Sequence, residues 1–435
     1  MKLADRARAE AARRLALALL SRAGSGRLDI VDGGTRHRFG SPGGGPDAEV
    51  RVNDRRAWSA LLSGGAGLAE GYVDRLWETD DIVAVIRFAA RNLEPLDVLR
   101  ARFHPVLGPI KRISARVPRN TRSGARANIS AHYDLGNELF EAFLDPTLMY
   151  SAAVYEDRSV GAAAGLDAAQ IAKLDRICER LELGPDDHLL EIGTGWGGLA
   201  IHAAQTTGCR VTTTTISREQ REFALERIER AGLSDRIEVL LEDYRDLRGR
   251  YSKLVSIEMI EAVGWQYFET YFAHCSKLLE PEGLMFLQAI VIADELYESE
   301  KAARSFANTQ VFPGGCLPSH ELIGKLIGGR TDMRTIWLDD ITADYALTLE
   351  AWRERFNAAH ARPEPFGYDE RFGRLWNFYL AFSEAGFAER RIRDLQLVFA
   401  KPAWRPAIDR LSAKAPVASS DAATAVEPTV VAGSE

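Results

Sequence analysis

The stretch of this sequence richest in chemistry is Leu189-Leu190-Glu191-Ile192-Gly193-Thr194-Gly195-Trp196-Gly197-Gly198. An apolar segment ends in an acid, passes a glycine-rich turn and enters a helix near Leu199. That arrangement holds an adenosyl cofactor against backbone amides. The glycines also satisfy a dinucleotide-binding turn, which wants an acid about 20 residues later to hold the ribose. The next strand, Cys209 to Ile216, is rich in threonine and has no acid. The acid stands before the turn instead, at Glu191, where a carboxylate can meet a cationic amino-acid moiety such as that of S-adenosylmethionine. A tight strand-to-helix turn without a ligand is the plain structural alternative.

Around this turn the pattern alternates strands and helices from about Asn128 to Lys401. Strands are expected at Leu189–Ile192, Arg210–Thr215, Ile237–Leu241, Leu254–Glu258 and Leu284–Ile292, which implies a mainly parallel, doubly wound sheet. A chain of 435 residues with 46% apolar and 27% charged residues can build one large α/β domain and a smaller one. The expected division is a small N-terminal domain over 1–97, a basic linker over 98–128, a catalytic domain over 129–401 and a disordered tail over 402–435.

The linker carries Arg100, Arg102, Lys111, Arg112, Arg116, Arg119, Arg122 and Arg126 and no acid, in a chain of net charge -7. It reads either as a contact for an anionic surface or as a solvated connection. Residues 1–22 mix Arg with Ala and Leu at helical spacing, which fits an ordinary amphipathic helix better than a membrane-surface one. No apolar run is long enough to span a bilayer, and Leu15 to Leu20 lacks a signal-peptide cleavage site. Cys178, Cys209, Cys275 and Cys316 are widely spaced, forming neither a metal pattern nor a disulfide framework, so a reducing cytoplasm and no metal are expected.

Five further segments lie around the turn: His132 to Asn137, Asp145-Pro146-Thr147-Leu148-Met149-Tyr150-Ser151, Ser256 to Gly264, Phe312 to Ser319, and Ala343-Asp344-Tyr345. Together with the turn they resemble the cyclopropane-fatty-acyl-phospholipid synthase family, which includes mycolic acid cyclopropane synthases and fatty-acid methyltransferases that make 10-methyl branches. The resemblance covers about Gly67 to Phe399. It implies an α/β, doubly wound, Rossmann-like class I methyltransferase fold with a small N-terminal domain. By position it implies that Tyr150, Ser151, Gly193, Gly195, Gly197, Thr215 and Gln220 line the S-adenosylmethionine site, with Asp243 and Tyr244 flanking the adenine. Taken singly, Ser151 and Thr215 read as cap or core residues.

The implied reaction adds a one-carbon unit to the double bond of an unsaturated phospholipid acyl chain and gives a cyclopropane fatty acid. Transfer leaves a carbocation, which aromatic faces such as Tyr150, Tyr345, Trp265, Phe312 and Trp376 could stabilise. A base then removes a proton, from the new methyl to close a ring or from a neighbouring carbon to leave an alkene. In the family that base is thought to be a bicarbonate. By resemblance Glu261 and Tyr345 match two of its ligands and Ile290 a backbone contributor. Two positions depart: Ala152 stands where many members have cysteine, and Gln288 where many have histidine. A methyl- or methylene-branched product is therefore open, as is a non-catalytic protein that binds S-adenosylmethionine and lipid. Expected partners are acyl chains and an anionic membrane surface, at the inner face of the membrane, with a homo-oligomer left open. No nucleic acid is expected: the acidic balance and the lack of an interleaved aromatic and basic motif count against it.

Overall fold

The computed structural model describes residues 3–41, 43–92, 136–303, 305–361 and 368–406. The basic linker, most of the His132 to Asn137 motif and nearly all of the tail lie outside the described residues. So does the 97/98 domain boundary. Among the described residues no helix is long and apolar enough to cross a membrane.

Seven strands form the main sheet: β5 (His188–Ile192), β6 (Arg210–Thr214), β7 (Ile237–Leu240), β8 (Tyr251–Ile257), β9 (Leu279–Ile292), β10 (Arg334–Asp340) and β11 (Ile392–Ala400). Their order is β10-β11-β9-β8-β5-β6-β7. The first five run parallel, while β11 lies antiparallel to both β9 and β10. All five strands read from the sequence are present, within a few residues of the expected ends. β5 is buried from Leu189 to Ile192, the continuous apolar burial expected of a strand covered on both faces. The strand order reverses at β5, which has β6 on one side and β8 on the other. Crevices for ligands open at such a switch point, beyond the carboxyl ends of the strands.

A smaller sheet, β2-β1-β3-β4, is built from β1 (Gly26–Asp32), β2 (Thr35–Ser41), β3 (Asp47–Val52) and β4 (Trp77–Glu78). The helix Leu3–Leu20 lies on it through Arg13, which donates to Asp32 at 2.8 Å and passes over the Trp58 ring. This is the ordinary amphipathic role. The unit shares one hydrophobic core with the helices Thr342–His360 and Glu370–Ala388 of the larger unit. Arg87 and Arg91 both reach Glu389 across that junction.

Two close contacts aim the loop that enters the crevice. The Asp145 carboxylate accepts from the Thr147 and Met149 amides, folding the Asp145 to Ser151 segment onto itself. Arg227 donates to the carbonyls of Pro146, Thr147 and Trp196 and so ties this loop to the glycine turn. Gly198 sits beneath it: a Cβ there would lie 2.4 Å from the Thr147 carbonyl oxygen. Gly198→Ala is therefore expected to displace the loop and destabilise the protein by roughly 1–3 kcal/mol. Thermal unfolding checks this, and an unchanged midpoint would contradict it.

Candidate functional site

Gly193, Gly195 and Gly197 follow β5 with φ of +108°, +52° and +83°. A side chain at Gly195 would meet nothing within 4 Å, so its backbone faces open space at the mouth of the crevice. The turn is fastened from beneath: the Gly193 and Thr194 amides both donate to the Thr214 carbonyl, at 3.0 and 3.1 Å. The helix Gly198–Thr207 then starts with its amide end beside the turn, ready for an anionic or carbonyl group.

Glu191 is buried next to this turn and accepts from the Thr213 hydroxyl at 2.6 Å. Burial pushes its carboxyl up to about 8. A ligand ammonium would supply the counter-charge it lacks. Thr215 and Gln220 bond each other at 2.8 Å after β6, and the Ser217 hydroxyl caps the next helix on the Gln220 amide. After β7, Asp243 is held bidentately by Arg245, with contacts of 2.7 and 2.6 Å. The Tyr244 ring is edge-on to Tyr271. Gly193, Gly195, Gly197, Thr215, Gln220, Asp243 and Tyr244 are thus gathered at the ends of β5, β6 and β7, while Tyr150 and Ser151 lie on the loop Asp145 to Ser151. Ser151 is the exception in kind, because its hydroxyl accepts from the buried Lys173 ammonium at 2.7 Å. Burial lowers the Lys173 pKa to about 8, against the pull of Glu258, Asp145 and Asp394.

Beside the cofactor crevice stands an aromatic wall. Tyr150 stacks on Trp352 with centroids 5.2 Å apart and meets Phe140 and Phe143 edge-on. Its hydroxyl lies 2.8 Å from that of Tyr379, which packs against Phe312 and Trp376. Tyr345 stacks on Phe387 at 4.2 Å and edges onto Trp352. Trp265 is not part of this wall. It is 37% exposed, with the Lys301 ammonium 5.3 Å from its ring centre.

Glu258, which the sequence reading passed over, occupies the centre. It is the first residue after β8 and adopts φ +47°, a left-handed conformation costly for a residue with a side chain. Its Oε1 accepts from the Ala152 amide at 2.8 Å and from Gln288 Nε2 at 2.7 Å; its Oε2 accepts from the Tyr345 hydroxyl at 2.5 Å. The residue as a whole is half-buried. Burial raises the Glu258 carboxyl above its usual range, opposed by these donors and by Lys173. Asp394, fully buried alongside, receives one side-chain donor, Gln288 Nε2 at 3.0 Å, and its Oδ1 has no partner. Burial, then the Glu258 charge, holds it well above the carboxylate range. Within the pair, the Glu258 charge raises Asp394, so Asp394 is the member that holds its proton more tightly.

This arrangement alters the expected bicarbonate site. Tyr345, Gln288 and the Ala152 amide are engaged by Glu258. The Ile290 amide donates to Glu261 Oε1 at 2.6 Å, leaving Glu261 Oε2 without a partner. Burial, with the Glu258 charge, raises Glu261 to about 8. The donors that bicarbonate would need are already satisfied by the chain's own carboxylates, so the residues present do not fit it.

A doubly wound sheet, a glycine turn at its switch point and a buried acid before the turn define an S-adenosylmethionine-dependent methyltransferase. A family model described as mycolic acid cyclopropane synthetase matches residues 120–397. Tuberculostearic acid methyltransferase UfaA1 of Mycobacterium tuberculosis is 38% identical over 324 residues, covering 74% of this chain and 75% of that protein. Cyclopropane-fatty-acyl-phospholipid synthase of Escherichia coli is 37% identical over 366 residues, covering 82% and 89%. Among solved structures, mycolic acid cyclopropane synthase CmaA1 complexed with SAH and CTAB superposes with a TM-score of 0.58 at 27% identity, covering 63% of this chain and 98% of that one. The chain belongs to the mycolic acid cyclopropane synthetase family. It is an enzyme that uses S-adenosylmethionine.

The Glu191 carboxyl must ionise to meet the cofactor's ammonium. Affinity for S-adenosylmethionine should therefore rise as pH increases towards about 8, and binding at neutral pH should release protons. Calorimetry in buffers of different ionisation enthalpy measures both. Affinity independent of pH, with no proton release, would contradict this role.

Proposed function

We propose that this enzyme adds a one-carbon unit to the double bond of an unsaturated acyl chain carried on a membrane phospholipid, and that Glu258 is the base that takes the departing proton. The observation behind this reading is the Glu258 carboxylate, held by Ala152, Gln288 and Tyr345 at the end of β8, the strand next to the one that carries the glycine turn. The aromatic wall supports an apolar substrate. So do the activities named for the two relatives, tuberculostearic acid methyltransferase and cyclopropane-fatty-acyl-phospholipid synthase.

Bound at the glycine turn, S-adenosylmethionine supplies an electrophilic methyl on a sulfonium. An isolated alkene is a poor nucleophile, so the residues around the crevice must hold it in line and exclude water. Tyr150, half-buried and backed by the fully buried Trp352 stacked beneath it, offers the aromatic face that stabilises the carbocation that forms. Glu258 then takes a proton from the new methyl carbon: the C–H bond breaks, an O–H bond forms on the carboxylate, and the electron pair closes a cyclopropane ring. If Glu258 instead takes a proton from a chain carbon next to the cation, that C–H pair forms a C=C bond and the product is a methyl-branched alkene; a 1,2-hydride shift onto the cationic carbon before loss of the methyl proton gives a methylene branch. Ala152 and Gln288, in place of the cysteine and histidine of many members, favour branching over ring closure. We assign the basic segment 98–128 to contact with anionic lipid at the cytoplasmic face, with residues 1–97 as a small domain that shares its core with the catalytic one.

Glu258→Gln keeps the size and removes the base. Product formation should fall by a factor of about 10² to 10⁴ while cofactor affinity holds. Acyl-chain mass spectrometry of lipids from expressing cells, with labelled methionine, measures the loss and separates ring from branch. Full activity in this variant would place the base elsewhere.

A further inference from the structure

The bond from Gln288 to Glu258 depends on which end of a primary amide points inward. Glutamine has a donor end and an acceptor end of nearly equal shape, and the wrong end would set an oxygen against two carboxyl groups. The antiparallel register of β9 and β11 places Gln396 directly across from Gln288. Both side chains are fully buried, and Gln396 Nε2 donates to Gln288 Oε1 at 3.0 Å. Gln396 is itself an amide that could face either way. Its Oε1 lies 3.3 Å from Arg176 Nη1, on the helix Ala162–Arg180. A guanidinium donates and cannot accept.

We propose that Arg176, acting through Gln396, fixes Gln288 as a donor to the base and is a positioning residue for the reaction. Donor polarity runs one way: Arg176 takes the oxygen of Gln396, so Gln396 offers nitrogen to Gln288. Gln288 then offers oxygen to Gln396 and nitrogen to Glu258 and Asp394. The chain begins at a residue only 28% exposed, anchored by the Asp339 carboxylate at 2.8 Å, and ends at the crevice. The groups facing Glu258 are Tyr345, Asp394, Glu261 and Lys173, from four different parts of the fold. Glu258, Asp394 and the Ala152 carbonyl accept from the nitrogen end of Gln288, and Gln396 holds its oxygen end from the other side.

The inference rests on Glu258 as the base, and the test separates the two. With Arg176→Met, Gln396 can turn over and Gln288 loses its fixed donor. A carboxylate short of a donor protonates more readily, so the acid limb of kcat should move up by roughly one pH unit. Gln396→Glu should move it further, because a carboxylate there draws the nitrogen of Gln288 away from Glu258. Asp339→Asn removes the ion pair but leaves the Arg176 donor in place, and should keep the wild-type profile. Cofactor affinity and thermal stability are measured alongside, and Arg176→Lys, also purely a donor, should keep most of the wild-type profile. Unshifted acid limbs in Arg176→Met and Gln396→Glu, with Glu258→Gln inactive, overturn this inference alone. An Asp339→Asn shift equal to that of Arg176→Met also overturns it, by making the ion pair the cause. Activity retained in Glu258→Gln overturns the base reading, and this inference falls with it.

Discussion

The rest of the site depends on one constraint: a carboxylate taken largely out of water must be given donors. Leaving such a charge uncompensated costs several kcal/mol. The Glu258 carboxylate is provided for by the loop carrying Ala152, by Gln288 on β9 and by Tyr345 on the helix Thr342–His360. Each donor lies far from Glu258 in sequence. Their meeting requires the loop, the sheet and the helix layer to pack in one relative position. A strained left-handed backbone at Glu258 persists only where surroundings specify it this strongly.

The same placement joins the two halves of the chemistry. β5 and β8 are parallel neighbours, so the glycine turn and Glu258 emerge side by side from the sheet. A side chain on Gly193 would pack at 3.3 Å from Met259, the residue next to Glu258. The aromatic wall closes the third side. Its rings come from the helices Asn137–Phe143, Thr342–His360 and Glu370–Ala388 and from the Tyr150 loop, and they are part of the hydrophobic core.

Much of this was legible in the chain. Alternation of apolar strands and helices located β5 to β9, and the spacing of Gly193, Gly195 and Gly197 located the cofactor turn. β10 and β11 went unread. β10 lies at the sheet edge with an interrupted burial pattern. The buried face of β11 carries Asp394 and Gln396, polar residues that only a partner strand explains. Glu258 was also missed, though it stands three residues before Glu261 in a segment singled out for other reasons. The signal lay in the departures at Ala152 and Gln288: two donors or ligands had changed type, and an extra carboxylate stood nearby. Position along the chain could not say that this carboxylate turns into the site, because that follows from the left-handed turn at the end of β8.

Turnover in carbon-dioxide-free buffer, with and without added bicarbonate, tests the central claim most directly. Glycine suits the left-handed backbone at position 258, so Glu258→Gly removes the carboxylate and leaves its donors facing a small cavity. The wild-type enzyme should run at full rate without bicarbonate. Glu258→Gly should be inactive there and recover when bicarbonate is supplied. A wild-type rate that collapses without bicarbonate, or a Glu258→Gly variant that runs at full rate in its absence, would contradict a base built into the chain.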